Sequence, residues 1–457
     1  MLKKTFISLV LFVCTRTYAA ETRLPPQPGP LQPGRVIDTV RCSADPSQSY
    51  ALYIPAKGAA GNLPVLYLFD PHGAGALPVT KYRSLADAYG FILVGSNNSK
   101  NGNDWSTTEN IWRCLFEDTK TRLKIRGDRI YTGGFSGGAK VAGFVAIQHP
   151  EIKGVIANGA GLPDGVQAEN FPFSFTAITG EGDMNMTELV GISHELDRTR
   201  TRHRILFFAG KHEWAPEATM NTAFAGLQFD AMIQGALPKD EVFINRYVEK
   251  SKGRLSDYIS ANLLLKAEEE CNVPISFLDG LTTQVNWFRD KVVSIVKNPL
   301  YRTQRLTQLH LLDQEQRMKA EYMQHFQQTD DHYWPLTILD LKEKAFLSKK
   351  PGEAAMHQRL LAYLSLAFYS LSNRAISSNA NAEARNFVEL YKKVDPTNSE
   401  AWYFSAILNA RAMQTQAAEN DLLKAVKCGF RDKDRLRQQP EFRQLKLDRI
   451  EHLIWMH

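Results

Sequence analysis

The sequence predicts an α/β protein, a mostly parallel sheet with helices on both faces, followed by a second region that is all helix. Between Val36 and about residue 215, short apolar runs alternate with amphipathic segments of helical period, the pattern of strands joined by helical crossovers. Beyond that point glycine and proline become sparse, strand-like runs stop, and segments such as Leu255 to Cys271 and Gln304 to Gln328 look helical. A chain of 457 residues also exceeds what one hydrophobic core ordinarily supports. The expected division is a sheet domain over residues 36–235 and a helical domain over residues 236–457.

Taken in order, Lys3 and Lys4 precede an apolar run from Phe6 to Val13, and Ala19 and Ala20 follow it. This predicts a cleavable signal over residues 1–20 and an exported protein, periplasmic or secreted. The run is shorter than the roughly 20 residues of a membrane span, and no later stretch comes near that length. Lipidation at Cys14 is not expected, because Val13 stands where lipoprotein signals place a small residue. Residues 21–35 include Pro25, Pro26, Pro28, Pro30 and Pro33, which predicts an extended tether. The strand candidates are Ala51 to Ile54, Val65 to Phe69, Phe91 to Gly95, Arg129 to Thr132, Gly154 to Ala157, Phe175 to Thr179 and Ile205 to Phe208. Helix candidates lie near Lys81 to Tyr89, Ile111 to Leu123 and Gly137 to His149, the last stopped by Pro150. Near the C-terminus, Ala382 to Val394, Glu400 to Met413 and Ala417 to Cys428 read as helices joined by short turns. With Trp402, Tyr403 and Ala406 opening the second of them, the stretch 382–445 resembles tetratricopeptide-type hairpins over little more than one repeat.

Composition narrows the function classes only a little. Apolar residues make up 44% and charged residues 23%, the balance of an ordinary soluble protein. Removing Lys3, Lys4 and Arg16 with the signal lowers the formal charge from +6 by three, and no nucleic-acid partner is suggested. Cys42, Cys114, Cys271 and Cys428 lack the spacing of a zinc site or a redox pair. They are either unpaired thiols or include one disulfide, Cys42 to Cys114. No metal or cofactor is expected: His194-Glu195 lacks the second histidine of a zinc-protease helix, and Asp330-Asp331-His332 reads as a helix-terminal polar cluster. The basic run from Arg198 to Arg204 reads as a solvated face.

The strongest chemical signal is Gly134-Phe135-Ser136-Gly137-Gly138, set between the strand Arg129 to Thr132 and the helix beginning at Gly137. A nucleophile at the tip of a tight strand-to-helix turn needs small residues two positions to either side, because the backbone there is strained and closely packed. The helix N-terminus and the Gly137 amide then face developing negative charge. A serine hydroxyl at its ordinary pKa needs a histidine to take its proton and a carboxylate to orient that histidine. Downstream of Ser136 stand His149, His194, His203 and His212. His149 ends the nucleophile's own helix, and His194 and His203 lie in polar surface. His212 follows the strand Ile205 to Phe208, and loops at strand carboxyl ends are where such sheets place ligands. Asp183, in Gly180-Glu181-Gly182-Asp183, is the favoured acid, with Asp164 its rival and Glu181 a weaker one. A second oxyanion donor is expected from the turn after Val65 to Phe69, at Gly73 or Ala74.

These blocks resemble secreted poly(3-hydroxybutyrate) depolymerase-like and feruloyl or acetyl-xylan esterase-like α/β-hydrolases. That family carries a His-Gly loop, a Gly-x-Ser-x-Gly elbow and a Gly-x-His-x-Trp-Pro ending. Here the ending reads Gly210-Lys211-His212-Glu213-Trp214-Ala215-Pro216, with an extra alanine before the proline. Depolymerase-like members tend to place a cysteine where this chain has Ala74. The resemblance spans about residues 50 to 216 and implies Ser136, Asp183 and His212 as a triad acting on carboxylic esters. Trp105, in the polar loop Asn97 to Trp105, and Trp214 are the candidate pocket residues; Trp214 either walls the acyl site or fills core. The expected reaction is hydrolysis of a small-molecule or polymer-linked ester through an acyl-enzyme, with the helical region serving as an interaction module for a protein partner. Two alternatives stand beside it: a serine exopeptidase on the same fold, and a catalytically inactive scaffold.

Overall fold

The computed structural model describes residues 31–57, 61–326, 332–350 and 352–456. The expected signal, most of the expected tether, Asp330 and Asp331 lie outside the described residues.

The strands are β1 (Val36–Arg41), β2 (Ser49–Tyr53), β3 (Leu63–Phe69), β4 (Ile92–Ser96), β5 (Ile125–Phe135), β6 (Ile152–Asn158), β7 (Ser174–Gly180) and β8 (His203–Phe208). They form one sheet in the order β1-β2-β4-β3-β5-β6-β7-β8. β2 runs antiparallel to both of its neighbours, and every pair from β4 through β8 is parallel. This is the α/β-hydrolase topology. Seven of the strands match sequence expectations. β1 does not, because its half-exposed, mixed-polarity hexapeptide at the sheet edge carries no apolar run to reveal it.

The helices of this part are α1 (Ala76–Lys81), α2 (Arg83–Tyr89), α3 (Trp105–Arg122), α4 (Gly137–Gln148), α5 (Met186–Leu196) and α6 (Glu217–Ile233). Side-chain alternation splits β3 between two cores, as period 2 requires. Val65, Tyr67 and Phe69 pack with Trp112 of α3 and Val145 of α4. Leu66 and Leu68 pack on the other face with Val79 of α1, Leu85 of α2 and Phe224 of α6. The single helix expected near Lys81 to Tyr89 is two, meeting at Tyr82, whose hydroxyl donates to Ala215 O at 2.8 Å.

The all-helical remainder runs through α7 (Glu241–Ser260), α8 (Leu264–Leu278), α9 (Val285–Val296), α10 (Pro299–His325), α11 (Tyr333–Leu347), α12 (Glu353–Ser377), α13 (Asn381–Val394), α14 (Ser399–Arg411), α15 (Thr415–Lys427), α16 (Lys433–Gln438) and α17 (Asp448–Met456). No described helix is long and apolar enough to cross a membrane. The two regions share a core: Phe229 of α6 is buried with Ile244 and Val248 of α7 and Phe277 of α8.

That packing corrects one expectation. The run from Arg198 to Arg204 is not a solvated face throughout, because α8 covers the exposed edge of β8. An open strand edge is a liability that a packed helix removes. Arg204 is 4% exposed, lies 4.8 Å from the Phe277 ring, and forms a close ion pair with Asp230 of α6. Arg202 reaches the same carboxylate at 3.2 Å and the Ser276 carbonyl at 2.8 Å. Burial pushes the Asp230 carboxyl up, but the Arg204 and Arg202 guanidinia outweigh it and hold it below the ordinary carboxylate range. Because its folded pKa is depressed, this group adds stability above the ordinary carboxylate pKa of about 3.9, and the contribution fades as pH falls through the lower folded value. Asp230→Ala is expected to cost about 3–5 kcal/mol, since it strands a buried guanidinium. Urea unfolding monitored by tryptophan fluorescence at neutral pH measures the loss.

Cys42, Cys114, Cys271 and Cys428 are free thiols. Burial, foremost, and the charge of Asp118 push the Cys42 thiol up to about 12, so it behaves as a small apolar core residue.

Candidate active site

β5, β7 and β8 run parallel, so the loops at their carboxyl ends emerge at one edge of the sheet. Ser136 follows β5, Asp183 follows β7 and His212 follows β8. The structure brings all three together. His212 Nε2 lies 2.9 Å from Ser136 Oγ, and His212 Nδ1 lies 2.9 Å from Asp183 Oδ1. The imidazole is 19% exposed and the carboxylate 0%, so the ring reaches solvent while its partner is sealed behind it.

The elbow is strained as its glycines require. Ser136 sits at φ 53° and ψ −124°, a conformation that non-glycine residues adopt rarely and at an energetic cost. A Cβ on Gly134 would overlap the Gly138 carbonyl, and one on Gly138 would overlap the Phe69 carbonyl. The turn therefore closes only with glycine at both places. Gly159, at φ +71°, is held for a related reason: a Cβ there would come within 3.2 Å of His212 Cε1 and of Asp183 Oδ2.

The expected oxyanion loop folds as a tight turn. His72 N donates to Asp70 Oδ1 at 2.9 Å and Gly73 N to Asp70 O at 3.1 Å. Gly73 is at φ +70°, and its amide is spent inside the turn, which leaves Ala74 the better placed of the two candidate donors. The polar loop after β4 lies alongside: His72 bridges Lys100, and Asn101 N donates to Pro71 O at 2.8 Å. The Asn101 side chain covers the Cα of Gly137 so closely that a Cβ on Gly137 would overlap its Oδ1. Trp105 is 40% exposed and stacks on Phe144 at 4.5 Å. Trp214 is buried against Tyr82 and Phe135, and its indole donates to Asp70 Oδ2 at 2.8 Å. Of the two roles open to Trp214, core filling matches these surroundings.

The other sequence candidates stand apart. Asp164 is an exposed partner of Lys140 at 2.5 Å. Glu181 pairs with Lys266 of α8 at 2.8 Å. His149 contacts Glu109 at 3.0 Å, and His203 contacts Asp197 at 3.1 Å.

Three residues that sequence reasoning missed hold the loops in place. Asn158, fully buried at the end of β6, accepts from Ser136 N through its carbonyl at 2.8 Å and from Ala215 N through Oδ1 at 2.7 Å. Its Nδ2 donates to Glu213 O at 3.3 Å, so this one residue holds the nucleophile's turn through its backbone and the histidine loop through its side chain. Asn185 donates from its backbone to Asp183 Oδ1 at 2.9 Å and from Nδ2 to Gly159 O at 2.8 Å. Asp70 joins the oxyanion turn to Trp214. An asparagine or aspartate at a strand end is ordinary turn chemistry, and nothing local distinguishes these.

No protein-family model matches the chain, and comparison with curated proteins found no relative. Among the solved structures it resembles are three that each match less than half of it. One is a hyperthermophilic esterase from the archaeon Pyrobaculum calidifontis, 15% identical over 45% of this chain and 87% of that one, with a TM-score of 0.35. A second is FphF, a fluorophosphonate-binding serine hydrolase of Staphylococcus aureus, 11% identical over 43% of this chain and 99% of that one, with a TM-score of 0.37. A third is from the work on two fungal esterases of Rhizomucor miehei, 15% identical over 43% of this chain and 84% of that one, with a TM-score of 0.36.

Proposed function

We propose that this chain is an exported serine hydrolase that cleaves carboxylic esters through Ser136, His212 and Asp183. The observation that carries the reading is the pair of 2.9 Å contacts joining a strained serine, an imidazole and a buried carboxylate. Ser136 Oγ attacks the ester carbonyl carbon as its proton passes to His212 Nε2. The oxyanion is met by the Gly137 amide at the head of α4 and by the turn amide of Ala74. The tetrahedral species collapses, His212 returns the proton to the departing alkoxide, and an acyl-serine remains. A water molecule, deprotonated by the same imidazole, attacks that acyl group and releases the acid and the free serine. Asp183 keeps Nδ1 protonated and steadies the imidazolium throughout.

Trp105 stacked on Phe144 and Asn101 over Gly137 are the residues we assign to the mouth of the substrate site. The hairpins of α12 to α15 are assigned to a protein partner, since stacked helical hairpins offer extended binding surfaces.

The test is labelling by a fluorophosphonate probe, followed by turnover of acetyl, butyryl and feruloyl esters beside aminoacyl amides. The wild type is expected to label and to hydrolyse esters, and Ser136→Ala to do neither. Labelling that survives Ser136→Ala overturns the assignment of the nucleophile. Faster turnover of the amides turns the reading to an exopeptidase.

A further inference from the structure

The loop that carries Asp183 is held from both sides of the molecule. On the sheet side, Glu181 N donates to Phe208 O at 2.9 Å and Gly182 N to Gly210 O at 2.8 Å, which fastens the acid loop to the histidine loop. On the helical side, Arg359 of α12 reaches across and donates from Nη1 to the carbonyl of Glu181 at 2.7 Å. That carbonyl is two residues from the acid. The same guanidinium gives Nε and Nη2 to Glu315 Oε2 of α10, at 2.8 and 2.7 Å. Lys266 of α8 takes the Glu181 carboxylate at 2.8 Å, and Gln358 lies so near Gly182 that a Cβ there would come within 2.6 Å of its Oε1.

Arg359 is 5% exposed and Glu315 1%. A buried ion pair of this kind is no better than well-packed apolar residues at gluing two helices to a sheet, because desolvation offsets most of the attraction. What it supplies is direction. A planar guanidinium gripped on two nitrogens by one carboxylate presents its remaining nitrogen along a fixed line, and here that line ends on the acid loop. Among the described residues no backbone N–H of the sheet domain donates to the Glu181 carbonyl, and Arg359 of the helical region is its partner.

We propose that Arg359, aimed by Glu315, is a positioning residue for Asp183, so that the helical region completes the acid arm of the triad. The inference rests on the ester-cleaving reading for its kinetic consequence, though the arrangement of Asp183 and His212 can be observed without turnover. A shift of the acid loop by about 1 Å is enough to cost on the order of 100-fold in rate.

The experiment compares full-length wild type with Arg359→Met, Arg359→Lys and Glu315→Gln. It measures kcat and KM on a p-nitrophenyl ester, their pH profiles, and the downfield proton resonance of His212 Nδ1–H. Thermal unfolding runs in parallel. Arg359→Met is expected to lower kcat by about 10- to 100-fold with KM nearly unchanged, to change the shape of the pH profile, and to shift or broaden the resonance. Arg359→Lys, which keeps a cation within reach of the carbonyl, is expected to recover part of each. Should Arg359→Met fail to fold, Arg359→Lys and Glu315→Gln carry the comparison with smaller changes in the same direction. A folded variant with lower thermal stability but the wild-type kcat, pH profile and resonance overturns the proposal and leaves the pair a structural tie. A wild type that shows no Ser136-dependent turnover, but whose resonance moves with Arg359, removes the ester-cleaving reading and supports this one.

Discussion

Replacing Ser136 with alanine is expected to lower kcat on an activated ester by about a million-fold, and adding His212→Ala to that variant is expected to lower it no further. The first effect follows from the loss of the hydroxyl oxygen that the proposed reaction uses as nucleophile, Oγ at 2.9 Å from His212 Nε2. At 1.36 kcal/mol for each factor of ten, a million-fold loss corresponds to about 8 kcal/mol of transition-state stabilisation. The second follows from what the imidazole does. With no hydroxyl to deprotonate, its basicity has no covalent route to serve, and residual hydrolysis rests on the amides of Gly137 and the neighbouring turn. Spectrophotometric turnover of p-nitrophenyl acetate by both single variants and the double variant checks the claim. Losses that multiply would mean that the two side chains act on separate steps, and the unit described above would not exist.

Asp183→Ala is expected to lower kcat by about ten-thousand-fold, a smaller loss than at serine or histidine, while KM stays within a few-fold. The variant keeps Ser136 and His212 in contact, and Phe135, whose ring centroid lies 4.7 Å from that of His212, still backs the imidazole. It loses the acceptor that holds Nδ1 at 2.9 Å and the negative charge that steadies the imidazolium. Asp183 is fully buried, so ground-state binding should hardly register its removal. The same initial-rate assay, extended to substrate concentrations well above KM, separates the two constants. A loss below ten-fold would give the orienting role to another carboxylate, with Glu181 the nearest in sequence.

How these residues come to meet separates what short stretches of chain carry from what only the folded molecule holds. The glycines around Ser136 are readable locally because a strained turn tolerates little else two positions away, and the backbone at φ 53° with carbonyls crowding Gly134 and Gly138 shows why. The strand pattern placed His212 and Asp183 after β8 and β7, since a parallel sheet sends every carboxyl end to one edge. β1 escaped notice because an edge strand exposed on one side needs no continuous apolar run.

By itself, then, the sequence determined the α/β sheet, the elbow and the candidate serine, acid and base, all features written in local periods and short turns. Only the tertiary structure decided that Trp214 belongs to the core, that Arg204 is buried on Asp230, and that a helix far along the chain grips the acid loop. The partners in those contacts lie 144, 26 and 178 positions apart. Arginine, tryptophan and glutamate have no local signature that tells a solvated side chain from a buried one. Their state is set by which surface folds over them: Tyr82 and Phe135 over Trp214, α6 and α8 over Arg204, and α10 over Arg359.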